Sequence, residues 1–190
     1  MTVGARERGT LDTVEYRCRD ERTIAASRVR CFETLADMST YGRWWTLVTV
    51  TPEGGSSRLI PGVRFRFAAA RPGGERVEWF AEVVAVEAPV RIELAYAGGE
   101  YVGRTAWELE AVGDATRVAY VYRGVRPNSP RAREHFARWG TSLHAVAMQE
   151  DALAGLARLL GGPGAELDDE AWRRDVRERV TAAVRGLERG

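Results

Sequence analysis

The sequence predicts an α+β domain in which an antiparallel sheet of about seven strands is covered by one long C-terminal helix. Three observations carry this. From Thr46 to Val125, short segments of alternating apolar and polar residues follow one another, each closed by a turn signal. Pro130 to Leu160 then repeats apolar residues at helical spacing, the longest such run in the chain. Two short helical patterns separate the first strand from the others. A long amphipathic helix after a run of strands needs a sheet to lie on.

The first strand is expected from about Thr13. Val14, Tyr16, Cys18 and Ile24 alternate with Glu15, Arg17, Arg19 and Thr23, the period of a half-buried strand. Asp20 and Arg22 fall on the apolar side of that count. A bulge that resets the register is the favoured reading; the alternative sets the two charges near the mouth of a cavity. Ser27 caps a helix with Val29, Phe32, Leu35 and Ala36 on one face. A second short helix or turn ends at Trp44-Trp45, of which one is expected in the core and the other on a pocket wall or the surface.

The meander then runs through 46–51, 62–71, 76–88, 90–96, 100–112 and 115–125, with turns at Pro52–Ser57, Pro72-Gly73-Gly74, Pro89, Gly98-Gly99 and Gly113-Asp114. Inward residues include Phe65, Phe67, Trp79, Ala81, Val83, Ile92, Leu94, Tyr96, Trp107, Tyr120 and Tyr122, while arginines and glutamates hold the alternate, solvated positions. In the long helix, Ser129 caps, Pro130 fits the first turn, and Gly161-Gly162-Pro163 stops it. Its apolar stripe runs Ala132, Phe136, Trp139, Leu143, Val146, Ala147, Leu153, Ala157 and Leu160, with Met148 opposite. One carboxylate, Glu150, interrupts the stripe. After a linker, Asp168 or Asp169 caps an extra C-terminal amphipathic helix with Trp172, Val176, Val180, Val184 and Leu187 in a narrow stripe. That stripe covers either its own domain or a second copy of the chain. The division is a flexible N-terminus (1–12), one domain (13–162), and a linker with helix (163–190).

The chain has 190 residues, 45% of them hydrophobic, and a net charge of +1. That balance gives no electrostatic case for nucleic acid or an anionic membrane surface. All basic side chains are arginine, which removes Schiff-base lysine chemistry. Cys18 and Cys31 show neither zinc nor redox spacing and read as small buried residues of a reducing compartment. Residues 1–12 lack the apolar core of a signal peptide and no stretch approaches a membrane span, so a cytoplasmic protein is expected. Phosphate-binding, nucleophile-elbow and metal-ligand motifs are all missing from the sequence pattern, so neither cofactor nor metal is expected.

The element order, with several residue groups, resembles the START-like, helix-grip superfamily (SRPBCC) over about 13–162, and within it the polyketide cyclase/dehydrase and lipid-transport group. The groups are Leu35-Ala36-Asp37, Tyr41, Trp44-Trp45, Gly62, Trp79, Glu87-Ala88-Pro89 and Thr116-Arg117-Val118. The resemblance implies a curved sheet gripping the long helix around an elongated cavity. Its implied walls are Trp45, Phe65, Phe67, Trp79, Val83, Leu94, Tyr96, Trp107, Phe136, Trp139 and Leu143. Small inward residues Ala69, Ala81, Ala85 and Gly103 leave room there. Where cyclases of that group carry an inward arginine on the fourth strand, this chain has Val83.

Glu150, Tyr120, Tyr122 and His135 are the candidate catalytic groups. Glu150 offers a carboxylate on an apolar face, the tyrosines offer hydroxyls, and His135 flanks the apolar face near the expected mouth. His144 is expected to be lateral or exposed. The function expected is binding of a hydrophobic, oxygenated small molecule, as a cyclase/dehydratase-like enzyme of secondary metabolism. Two other readings are a non-catalytic lipid, quinone or polyketide carrier or sensor, and a co-chaperone-like interaction module. A homodimer through the C-terminal helix is a further expectation.

Overall fold

The computed structural model describes residues 15–70 and 76–189, so the expected start at Thr13 and the Pro72-Gly73-Gly74 turn lie outside the described residues. Strand β1 (Tyr16–Ile24) buries its even-numbered side chains without a break. Its pairing with the last strand runs uninterrupted from Arg17 to Ile24, so the expected bulge at Asp20–Arg22 is absent. Asp20 faces inward and is buried. Helix α1 (Arg28–Ala36) starts at Ser27, whose hydroxyl accepts the Arg30 amide hydrogen. It buries Cys31, Phe32, Leu35 and Ala36, while Val29 is exposed, because the face turns toward Cys31. A 3₁₀ turn (Met38–Thr40) and helix α2 (Tyr41–Trp44) follow, and both Trp44 and Trp45 are buried.

Six strands then meander: β2 (Val48–Glu53), β3 (Arg64–Ala70), β4 (Arg76–Glu87), β5 (Arg91–Gly99), β6 (Tyr101–Val112) and β7 (Ala115–Pro127). With β1 they make one seven-stranded antiparallel sheet in the order β1-β7-β6-β5-β4-β3-β2. The outer face carries the alternate charges, as in Arg19 bridging Glu21 (2.7 Å) and Glu108 (2.6 Å) across strands. Such exposed pairs add little stability, and the sheet rests on its inner face. There Phe65, Phe67, Trp107, Tyr120, Ile92 and Leu94 pack against Trp44 and Trp45.

The long helix is not continuous. Helix α3 (Pro130–Trp139) is capped by Ser129, which accepts from the Ala132 amide, and it ends at Gly140. Gly140 takes φ +55°, a conformation that side chains resist, and its amide still closes the last turn onto Phe136. Helix α4 (Ser142–Ala147) restarts the chain, a π turn (Met148–Ala152) adds one residue, and helix α5 (Leu153–Leu159) completes the segment. Each residue advances a helix by about 100°, so one added residue re-aims every later side chain. The break at Gly140 re-aims α4, so Met148, expected on the outer side, is buried, and after the π turn the inward carboxylate is Asp151 rather than Glu150.

Asp151 is fully buried and ties the π turn to the chain before β2. It accepts the Thr46 amide and hydroxyl (2.8 Å each) and the Leu47 amide (2.8 Å). Burial lifts its carboxyl from 3.8 to about 6, against the downward pull of those hydrogen bonds and of Arg179. The folded form thus holds the proton more tightly than the unfolded chain. Its contribution is fully favourable below about pH 4 and is lost as pH rises through about 6, a change of about 3 kcal/mol. The stability difference between wild type and Asp151→Asn, from urea unfolding, should therefore shift by that amount between about pH 3 and 7 in the direction of a weaker wild type. A pH-independent difference would contradict the assignment.

Helix α6 (Asp169–Leu187) is capped by Asp168, which accepts from the Glu170 and Ala171 amides. Its stripe turns back on its own domain. Trp172 and Val176 are buried with Ala154 of α5, and Val180 and Leu47 pack beside them. Two arginines lock it there. Arg158 donates to the Arg43 and Leu167 carbonyls and to Asp169 (2.8 Å), and its guanidinium lies 5.4 Å from the Trp172 ring. The Arg179 guanidinium lies 4.9 Å from the same ring and pairs with Asp175 and Glu150. Only Leu187 of the stripe is left exposed. Among the described residues, no helix is long and apolar enough to cross a membrane.

Candidate functional site

One block of large side chains fills part of the space between sheet and helices and leaves the rest open. At one end the paired tryptophans Trp44 and Trp45, their rings stacked at 5.7 Å, fill the concave sheet with Trp107, Phe65 and Phe67. At the other end Ala69, Ala70, Gly140 and Ala147 stand among larger side chains of the wall, and a cavity of about 530 Å³ remains. This is within the common size of small-molecule sites, roughly 300–1,000 Å³. Its wall comes from β2 to β7, the segment before β2, helices α3 and α4, the π turn and α6.

Several expected wall residues are there: Trp45, Trp79, Tyr96, Phe136 and Leu143 line the cavity, as do Tyr120, Tyr122 and His135. Phe65, Phe67, Val83, Leu94 and Trp107 do not. They are at most 1% exposed and spent on the packed end, because the tryptophan pair reaches them first. Trp139 is also outside the lining, with Arg138 stacked over its ring at 4.6 Å, since the helix ends one residue later. Glu150 points away from the cavity: the π turn hands it to Arg179 of α6, with Oε2 2.7 Å from Nη1. Five residues of α6, Arg177, Val180, Thr181, Val184 and Arg185, line the cavity together with Glu188 at its C-terminal end. The α6 stripe was legible in the sequence, but nothing there said what it covers.

The hydroxyls are not equivalent. Tyr120 donates to Thr105 Oγ1 (3.1 Å), which uses its one proton, so the 2.6 Å contact between Tyr96 and Tyr120 is donated by Tyr96. Burial pushes Tyr96 up to about 12, and burial also raises Tyr120, with the neighbouring Tyr96 adding to that rise. These two protons are committed to a buried chain. Tyr122 also has its hydroxyl raised by burial, but no such bond engages it among the described residues, and its ring stacks on His144 at 4.1 Å. Tyr122 is therefore the tyrosine whose hydroxyl is free to meet a ligand.

His144 is the residue that sequence periodicity misplaced. The break at Gly140 re-aims α4, and His144 becomes a cavity-lining side chain with 16% exposure. Its Nε2 lies 3.3 Å from Asp20 Oδ2, and Cys18, two residues before Asp20 on the same face of β1, completes a close group. Burial, with the Asp20 charge adding to it, raises the Cys18 thiol to about 11. A thiol so held is protonated at neutral pH and is no nucleophile. Gly140, a glycine inside the helical pattern, is the signal that could have exposed this rearrangement.

Comparison with known proteins agrees with this architecture. The family model described as Activator of Hsp90 ATPase homolog 1-like protein matches residues 25–148. Among solved structures, protein Ms6760 from Mycobacterium smegmatis is 21% identical, with a TM-score of 0.56 over 80% of this chain and 94% of that one. TTHA0849 from Thermus thermophilus is 19% identical, with a TM-score of 0.57 over 88% of this chain and 99% of its own. A protein from Arthrobacter aurescens solved in solution by NMR is 16% identical, with a TM-score of 0.54 over 84% and 96%. At such identities the likeness is one of fold alone. No curated protein matches the chain.

Proposed function

The chain belongs to the Activator of Hsp90 ATPase homolog 1-like family, within the START-like helix-grip superfamily, and from that premise we propose that its cavity takes up one oxygenated hydrophobic molecule and holds it out of water. The observation that carries this is a largely aromatic cavity of roughly 530 Å³ between the sheet, α3, α4 and α6, beside a packed aromatic core. Interiors elsewhere in the domain are close-packed, so open space of this volume is a place for a ligand. The apolar body of the ligand lies against Trp79, Phe136, Val180 and Val184, and its oxygen meets the Tyr122 hydroxyl and His144. Arg177 and Arg185 on α6 favour a ligand whose exposed end is acidic or strongly polar. The protein acts as a carrier or sensor in the cytoplasm.

Cyclase- or dehydratase-like catalysis is a second reading, favoured by a phenol and an imidazole, Tyr122 and His144, held side by side in the cavity wall. Its acid–base groups are then Tyr122, His144 and His135. Glu150 has no part in it, because Arg179 holds that carboxylate outside. The co-chaperone reading and the homodimer through α6 draw no support from the apolar stripe of α6, which the domain itself covers.

Native mass spectrometry of gently purified full-length protein tests the proposal. A co-purifying hydrophobe, released chemically unchanged on denaturation, is the expected result. Conversion of that molecule on incubation, lost in Tyr122→Phe or His144→Gln, would move the assignment to the catalytic reading.

A further inference from the structure

We propose that Cys18, Asp20 and His144 form a site for one divalent cation of the zinc class at the edge of the cavity. The thiol sulfur, a carboxylate oxygen and an imidazole nitrogen of these residues all lie within 4.8 Å of one another. Asp20 Oδ2 and His144 Nε2 are 3.3 Å apart, the spacing expected of two ligands each about 2.0 Å from a tetrahedral zinc ion. Their geometry is not that of a hydrogen bond. Both atoms are buried without a hydrogen-bond partner among the described residues, an uncommon state for polar atoms that a shared cation would relieve.

The fold builds this group from two places. Cys18 and Asp20 stand two apart on β1, opposite Tyr122 and Tyr120 of β7, so both face inward. His144 descends on them from α4, its ring held by stacking on Tyr122. That stack fixes the plane of the ring beside Asp20. Arg22, the next inward residue of β1, does not neutralise Asp20 in this arrangement; it donates to the Gln149 carbonyl.

The donor set selects the ion. One thiol, one imidazole and one carboxylate suit zinc and its first-row neighbours, whereas magnesium and calcium take oxygen ligands. Binding forms a metal–sulfur bond and releases the Cys18 thiol proton to solvent. Three protein ligands leave a fourth position for water or for an oxygen of a cavity ligand, as in zinc sites that do chemistry. This inference stands apart from the cavity reading, because the metal alone tests it.

Titration of tag-free full-length protein with Co²⁺ reads the site directly. One equivalent should produce a thiolate-to-cobalt charge-transfer band with visible d–d bands, and Zn²⁺ should bleach both. Cys18→Ser should remove the charge-transfer band, and Asp20→Asn and His144→Gln should weaken binding by about tenfold or more. Cys31→Ser should change nothing, and circular dichroism confirms that each variant is folded. Absence of the band in folded wild type, or its survival in Cys18→Ser, would overturn the proposal.

Discussion

Replacing Gly155 with alanine should lower the stability of the domain by about 3 kcal/mol, the upper end for overpacking a close contact. Gly155 lies on α5 where that helix meets the end of α2. A Cβ there would stand 1.9 Å from the Trp44 carbonyl oxygen and 2.8 Å from its carbon. The obstacle is backbone, so no side-chain rotation relieves it, and Trp44 itself is fully buried among Tyr41, Trp45 and Trp107. Pushing the helix back would open the whole aromatic block. The control is Gly186→Ala on α6, where nothing lies within 4 Å; by helix propensity alone it should gain up to about 1 kcal/mol. Urea unfolding of the two variants checks both signs. Equal effects would mean that the α2–α5 contact is looser than described.

Trp172→Ala should have a different signature: loss of α6 and of the cavity together. Trp172 is 4% exposed, packs with Val176 and Ala154, and has the guanidinium groups of Arg158 and Arg179 at 5.4 and 4.9 Å from its ring. Truncating a buried tryptophan costs about 3–5 kcal/mol, more than a single docked helix can lose and stay in place. Limited proteolysis should then cut within 161–168, and affinity for a fluorescent hydrophobe should fall by at least about tenfold, the equivalent of about 1.4 kcal/mol. The sheet and α1 should keep their far-UV signal. Protease resistance with unchanged affinity would show that α6 does not form the cavity wall.

Much of the scaffold was legible in the sequence for a physical reason. A sheet with one buried face imposes a period of two on every strand, and caps such as Ser27, Ser129 and Asp168 announce helix starts through the amides they satisfy. Periodicity fails where the helix is irregular. The turn at Gly140 and the extra residue of the π turn changed the faces of Met148, Glu150, Asp151 and His144, although none of these residues is unusual in sequence. The inward face of the sheet was also legible, but its division into core and cavity was not. Phe65 and Trp107 became core while Trp79 and Tyr96 stayed on the wall, because that depends on the bulk of the residues opposite. The Cys18–Asp20–His144 group needed the fold, since its histidine comes from the far end of the chain.

The most direct test of the account is the native mass spectrum of wild type beside that of Ala147→Trp. Ala147 lines the cavity from α4, and an indole there fills space that the ligand needs while adding apolar contacts. The wild type should carry one bound hydrophobe per chain, and Ala147→Trp should be folded, at least as stable to urea, and empty. The same hydrophobe on both proteins at the same occupancy would place it elsewhere and contradict the cavity as the functional site.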